Sequence, residues 1–169
     1  RRREADDVDD VVSVLHACHR ADGYPEAWLA DPAAWLQPRR ELWALVGTDG
    51  LGNVVAHVGV HDATGHPLEP LWIDSARSAS RPVVLSRLVV HPLHRRRGYA
   101  SALLNSAAAE LTDAGLTPCL DVALANTEAR SLYAHLGWRE IGASSVTTQR
   151  RIPVAVLIYS PLPEEWVSS

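Results

Sequence analysis

Val84–Leu111 reads VLSRLVVHPLHRRRGYASALLNSAAAEL, and the rest of the chain is organised around it. Val84 to Val90 is an apolar run broken only by Ser86 and Arg87, which predicts a buried strand. His91-Pro92 ends it, because Pro92 has no amide to give to a ladder. Ala100, Leu103, Leu104, Ala107, Ala108 and Leu111 then fall on one helical face. Gly115 is placed to end that helix.

The turn between strand and helix, Arg95-Arg96-Arg97-Gly98-Tyr99-Ala100, carries the candidate chemistry. A helix N-terminus offers free N–H groups and the positive end of its dipole. With Gly98 in the turn and arginines beside it, it describes a site for phosphate or pyrophosphate. A Walker loop is excluded, since no Gly-Lys-Ser/Thr is present. The dinucleotide fingerprint G-x-G-x-x-G is absent too. A solvated surface cluster of arginines is the plainer alternative, and the strand–turn–helix context argues against it.

A second patterned stretch lies downstream. Cys119 to Leu124 is a nearly continuous apolar strand interrupted by Asp121. Asn126 is a good N-cap for a helix whose inner face is Ala129, Leu132, Tyr133 and Leu136, and Gly137 stops it.

Together these stretches resemble the GCN5-related N-acetyltransferases. The first motif of that family, V-x-P followed by R/Q-x-x-G-x-G/A, stands here as Val90-His91-Pro92 and Arg95-Arg96-Arg97-Gly98-Tyr99-Ala100. The second, N-x-x-A-x-x-x-Y followed by L-G-F/W, stands as Asn126, Ala129, Tyr133 and Leu136-Gly137-Trp138. The resemblance implies an α/β fold with a mixed sheet of six to seven mostly antiparallel strands. It implies a splayed central parallel pair, Val84–Val90 and Cys119–Leu124, and about four helices. It also implies acetyl-CoA as co-substrate, with no metal. The backbone of Leu88, Val89 and Val90 would meet the pantetheine arm. The amides of Arg96, Arg97, Gly98, Tyr99, Ala100 and Ser101 would hold the pyrophosphate, with the Arg95 side chain beside them. Asn126 and Ala129 would contact the pantetheine region. Tyr133 would be the general acid, and the Val90 N–H would polarise the thioester carbonyl.

Bulk properties bound the answer. The chain has 169 residues, 47% hydrophobic, which fits a single domain over 1–169 with a good-sized core. The net charge of −4 argues against a general nucleic-acid binder and mildly favours cationic acceptors. All basic residues are arginine, with no Lys, Phe or Met, a bias that looks bacterial and GC-rich and says nothing of mechanism. No apolar run is long enough to cross a membrane. Arg1-Arg2-Arg3 lacks the apolar segment of a twin-arginine signal, and the natural N-terminus is expected to precede Arg1. The two cysteines, Cys18 and Cys119, lack metal-ligand spacing and read as reduced, buried side chains of a cytoplasmic protein.

Along the rest of the chain, Arg1 to Glu4 reads as the tail of a strand. Asp6, Asp7, Asp9 and Asp10 crowd a helix start, where capping outweighs a metal site. Val8, Val11, Val12, Leu15 and Cys18 make the inner face of that helix. A short helix, Pro32 to Leu36, follows. Trp28, Trp35 and Leu36 give this region large apolar groups; the resemblance implies that they line the acceptor pocket, and a plain core cover fits the tryptophans equally well. Glu41 to Thr48 is a strand with Leu42, Ala44 and Val46 on one face. Asp49 to Asn53 is a hairpin loop, and Val54 to His61 the returning strand. Its alternation puts Val55, His57, Gly59 and His61 together, and the favoured reading is a half-exposed face. Ala63 to Pro82 reads as a binding loop with a short helix. Trp138 to Val146 and Val154 to Ser160 close the sheet, joined by the polar stretch Thr147 to Arg151, and Leu162 to Ser169 is a tail.

The base that deprotonates the acceptor stays open among Glu41, His57, His61, Asp74, Asp121 and water. Ser86-Arg87 stands where many relatives carry an acid. That departure leaves the acceptor open between small-molecule and protein amines. It also keeps a non-catalytic acyl-CoA-binding or sensing domain as the alternative. Homodimers are common in the family, which leaves a dimer open.

Overall fold

The computed structural model describes residues 1–75, 81–147 and 151–159. Most of the Thr147–Arg151 connection and the Leu162–Ser169 tail lie outside them. The chain forms two compact units, Arg1–Asp62 with Leu85–Ala107, and Ala63–Val84 with Ala108–Ser169.

In the first unit the N-terminal residues run as an edge. Arg2 bridges Leu45, and Arg3 N donates to Ala44 O at 2.9 Å. The acidic cluster works as a capping box. Glu4 N donates to Asp7 Oδ2 at 2.7 Å, while Arg1 pairs with Asp7 at 2.6 Å. That pairing holds the Asp7 carboxyl below the ordinary carboxylate range. Helix α1 (Val8–Asp22) then buries Val8, Val11, Val14, Leu15 and Cys18. Val12 is only partly buried, and Val14 takes its expected place. Asp31 caps the short helix α2 (Pro32–Leu36), accepting from Ala34 N at 2.8 Å. Val11, Leu15, Cys18, Leu36, Val46 and Val89 form one core cluster, with Trp35 packed on it. Each such aliphatic side chain contributes about 1.5–3 kcal/mol by leaving water. Trp28 is exposed and sits against His16 and His19.

Strand β1 (Glu41–Thr48) pairs antiparallel with β2 (Val54–Asp62). Two expectations fail here. Leu42 does not share a buried face with Ala44 and Val46, because the register shifts between Glu41 and Trp43 and turns Leu42 to solvent. The His57 face of β2 is not half-exposed, since every residue from Val54 to His61 is buried. That face tolerates burial because Arg3 and Arg87 donate to the Nε2 atoms of His57 and His61 and the Arg87 carbonyl meets His57 Nδ1.

Strand β3 (Pro82–Val90) belongs to both units. Its start pairs in parallel with β4 (Thr117–Ala123) from Pro82–Thr117 to Val84–Cys119. β4 pairs antiparallel with β6 (Arg151–Tyr159), which pairs antiparallel with β5 (Trp138–Thr147). Trp72, on helix α3 (Glu69–Ser75), is fully buried with Ala63, Leu68, Val84 and Cys119. Part of the Ala63–Pro82 connection therefore packs as a short helix, as expected, through Leu68 and Trp72. The long helix α4 (Tyr99–Asp113) buries Leu103, Leu104, Ala107, Ala108 and Leu111, the face expected of it. Helix α5 (Thr127–His135) is capped by Asn126. The described residues thus hold six strands and five α-helices.

Candidate functional site

The turn before α4 is built from a strand end, a 3-10 turn and two left-handed residues. Pro92 to His94 form the 3-10 turn. Arg96 and Gly98 have φ of +61° and +85°. Ala102 N donates to Gly98 O at 2.9 Å, so Gly98 is where the helix begins. The amides of Arg96 to Ser101 meet no acceptor among the described residues. Left-handed residues alternating with right-handed or extended ones turn successive N–H groups inward and make an anion-binding concavity. The side chains of Arg96 and Arg97 are exposed beside it. Tyr99 turns inward, its ring against Gly47, where an added Cβ would stand 3.0 Å from the ring.

Arg95 does different work in this state. Its guanidinium pairs with Asp22 at 2.6 Å, and its Nε donates to Val90 O at 3.2 Å. It ties the turn to the end of α1. Cys18 Sγ also donates to Val90 O, at 3.3 Å. His91 N donates to Val55 O at 2.8 Å, so β3 turns that amide toward β2. Peptide groups alternate along a strand, and the N–H groups of Leu88 and Val90 therefore point away from β2, whereas that of Val89 points toward it.

Behind this strand lies a buried polar cluster that the sequence signalled only by two breaks in an apolar run. Arg87 has φ of +55°. Its carbonyl meets His57 Nδ1 at 3.1 Å. A carbonyl only accepts, so Nδ1 carries the proton. Arg3 Nη1, which only donates, meets His57 Nε2 at 3.2 Å. Both ring nitrogens are thus engaged. Burial, with Arg3 and Arg87 nearby, lowers the pKa of His57 to about 4. Arg3 also pairs with Glu41 at 2.5 Å and donates to Leu36 O at 3.2 Å. Arg87 Nη1 donates to His61 Nε2 and to Ser86 Oγ, each at 3.0 Å. Three of the candidate bases, Glu41, His57 and His61, therefore already accept hydrogen bonds from arginines. No spacing rule could have found Arg3, which is 38 residues from Glu41 and 54 from His57.

The His57 shift has a sign that can be tested. The native state holds a neutral ring, whereas the unfolded ring takes a proton below about 6.5. The stabilisation is complete above that pH and is lost as pH falls toward 4. The shift corresponds to about 3 kcal/mol. Burial lowers His66 in the same sense and raises Asp121 in the opposite one. The comparison must therefore be with His57→Gln, which should show a flatter stability curve between pH 7 and 4 in urea titrations. Parallel curves for the two proteins would refute the assignment.

The second unit holds the remaining candidates. Asn126 Oδ1 accepts from Ala129 N at 3.1 Å, so both residues serve the cap. Tyr133 is buried, edge-on to Trp138 at 6.1 Å. Asp121 is partly buried on β4, and desolvation raises its carboxyl above the ordinary range. Asp74 is exposed on α3. Among the described residues no group of three or more His, Cys, Asp or Glu is placed to hold a metal ion. Among the described residues no helix is long and apolar enough to cross a membrane.

Comparisons with known proteins meet this geometry. A mycothiol acetyltransferase of Saccharomonospora viridis is 32% identical over 105 residues, covering 60% of this chain and 29% of that protein. The chain thus spans less than a third of that curated relative. The ribosomal-protein-S18-alanine N-acetyltransferase of Escherichia coli shares the fold, with a TM-score of 0.66 at 22% identity over 97% of this chain and 95% of that one. Arabidopsis thaliana NAA60, solved with acetyl-CoA, shares it at 0.69 and 18%, over 94% and 96%. Residues 8–138 match the acetyltransferase (GNAT) family, and the chain belongs to that family.

Proposed function

We propose that the protein transfers an acetyl group from acetyl-CoA to a primary amine by direct attack. The observation that carries this reading is the run of amides from Arg96 to Ser101 that have no partner among the described residues, at a doubly left-handed turn. It offers several N–H donors and a helix dipole to one polyanion, with the Arg96 and Arg97 side chains beside it. Arg95 is near enough in sequence to join them, and its pairing with Asp22 orients the turn meanwhile. The backbone of Leu88 to Val90 takes the pantetheine arm by the family pattern, as do Asn126 and Ala129.

In the reaction the neutral amine attacks the thioester carbonyl and a C–N bond forms. The Val90 N–H stabilises the developing oxyanion. The C–S bond then breaks, and the thiolate takes a proton from the Tyr133 hydroxyl. The acceptor nitrogen loses its proton to water or to a carboxylate, Asp121 or Asp74. Tyr133→Phe should lower kcat about a hundredfold, at the lower end of what a positioned acid contributes. The acetyl-CoA dissociation constant should not move. Unchanged turnover at every pH would remove Tyr133 from the role.

The deciding experiment is a calorimetric titration with acetyl-CoA, with NAD and ATP as controls. Selective micromolar binding supports the reading, and its absence ends it. Binding without turnover on a broad amine panel would instead support a sensing domain.

A further inference from the structure

Arg87 has no carboxylate partner among the described residues. It is only partly exposed, and burial lowers its pKa. Its guanidinium lies over the Trp35 ring, 4.7 Å from the centroid. One nitrogen, Nη1, is used on His61 and Ser86. The other edge is not: Nε is buried without a hydrogen-bond partner, and the guanidinium's hydrogen bonds among the described residues run through Nη1 alone. Nε and Nη2 form the side of the fork that grips a carboxylate with two parallel bonds.

The surroundings do not neutralise this cation. The nearby carboxylate of Glu41 is committed to Arg3 in a pair whose side chains are 13% and 8% exposed. His57 is neutral and engaged at both nitrogens. His61 accepts from Arg87 and adds no negative charge. The cluster is also built to hold Arg87 in place. A Cβ at Gly59 would lie 2.5 Å from His61 Nε2, the atom that receives Arg87. A non-glycine residue at φ +55° costs energy, and such strain collects at functional positions.

We infer that Arg87 binds a carboxylate on the acceptor, so that the substrate is a small amine bearing a carboxylate. This rests on the acetyl-transfer reading above. Arg87 stands three residues before Val90 on β3, about 10 Å along a strand. The long arginine side chain covers part of that distance. An acceptor with its amine at the Val90 amide and its carboxylate on Arg87 therefore spans a few bonds. The local charge reverses the preference for cationic acceptors that the net charge suggested.

The test is a kinetic panel with acetyl-CoA. Straight-chain amino acids from glycine to 6-aminohexanoate are compared with n-alkylamines of the same length. The wild type should favour one length of amino acid over its alkylamine at least a hundredfold in kcat/KM. Arg87→Gln should abolish that preference through the KM of the amino acid, leaving the acetyl-CoA dissociation constant unchanged. Arg87→Lys should restore part of it, since charge remains but the fork is lost. Gly59→Ala should weaken the preference while Arg87 itself is intact, which separates loss of positioning from loss of fold. A preference for alkylamines or diamines, or one that survives in Arg87→Gln, overturns the inference while acetyl-CoA binding still stands. If no acceptor turns over, titration of the amino acids into the CoA complex decides. Carboxylate-dependent binding lost in Arg87→Gln supports the inference, and no binding refutes it. Loss of acetyl-CoA binding altogether would instead refute the acetyl-transfer reading.

Discussion

Gly98→Val is expected to raise the acetyl-CoA dissociation constant about a hundredfold and to change the melting temperature little. Apart from its immediate chain neighbours, no atom of the described residues lies within 4 Å of where a Cβ would stand, so crowding is not the cause. The cause is the backbone. Gly98 has φ of +85°, a region a β-branched residue avoids, and the turn must refold to accept one. Refolding re-aims the amides at the start of α4. Hydrogen bonds to a charged group are worth about 1.5–3 kcal/mol each, and each 1.4 kcal/mol is tenfold in affinity. Losing two of them gives the expected change. Gly98→Ala, with its smaller strain, should fall between. Calorimetry alongside a thermal melt reads both quantities, and an unchanged dissociation constant would move the anion site elsewhere.

Glu41→Gln should be the most destabilising of the conservative changes. It leaves the Arg3 cation, whose side chain is 8% exposed, facing Arg87 without a counter-charge. Breaking one side of a buried pair costs about 3–5 kcal/mol. For a chain of this length that lowers the melting temperature by roughly 10 °C. Replacing the whole pair, Arg3→Met with Glu41→Leu, should recover most of the loss, because no unpaired charge remains. If the double variant is as unstable as the single one, the pair is not what Glu41 contributes.

The two predictions draw on different kinds of information. The Gly98 turn was legible in the sequence because its elements are local. A strand, a proline stop, a glycine and a helical apolar face follow one another within 28 residues, Val84–Leu111. The same holds for Asn126, whose capping bond reaches only to Ala129. These are properties of neighbouring residues, and periodicity and capping report them directly. The face of α4 was legible for the same reason.

The polar cluster was not legible. Period-two alternation in β2 grouped Val55, His57, Gly59 and His61 correctly, but alternation says nothing about what covers a face. Burial of that face depends on Arg3 and Arg87, brought to His57 and His61 from far along the chain. Leu42 likewise left its expected face through a register shift that only strand pairing creates. The Arg95 side chain turned to Asp22, 73 residues away, for the same reason. By itself the sequence determined the family, the order of elements and the strand–turn–helix around Gly98, because short-range patterns encode all three. Only the tertiary structure decided that Arg87 is a half-buried cation with no carboxylate partner among the described residues, since the charge balance of a site is summed over residues that meet only when the chain folds.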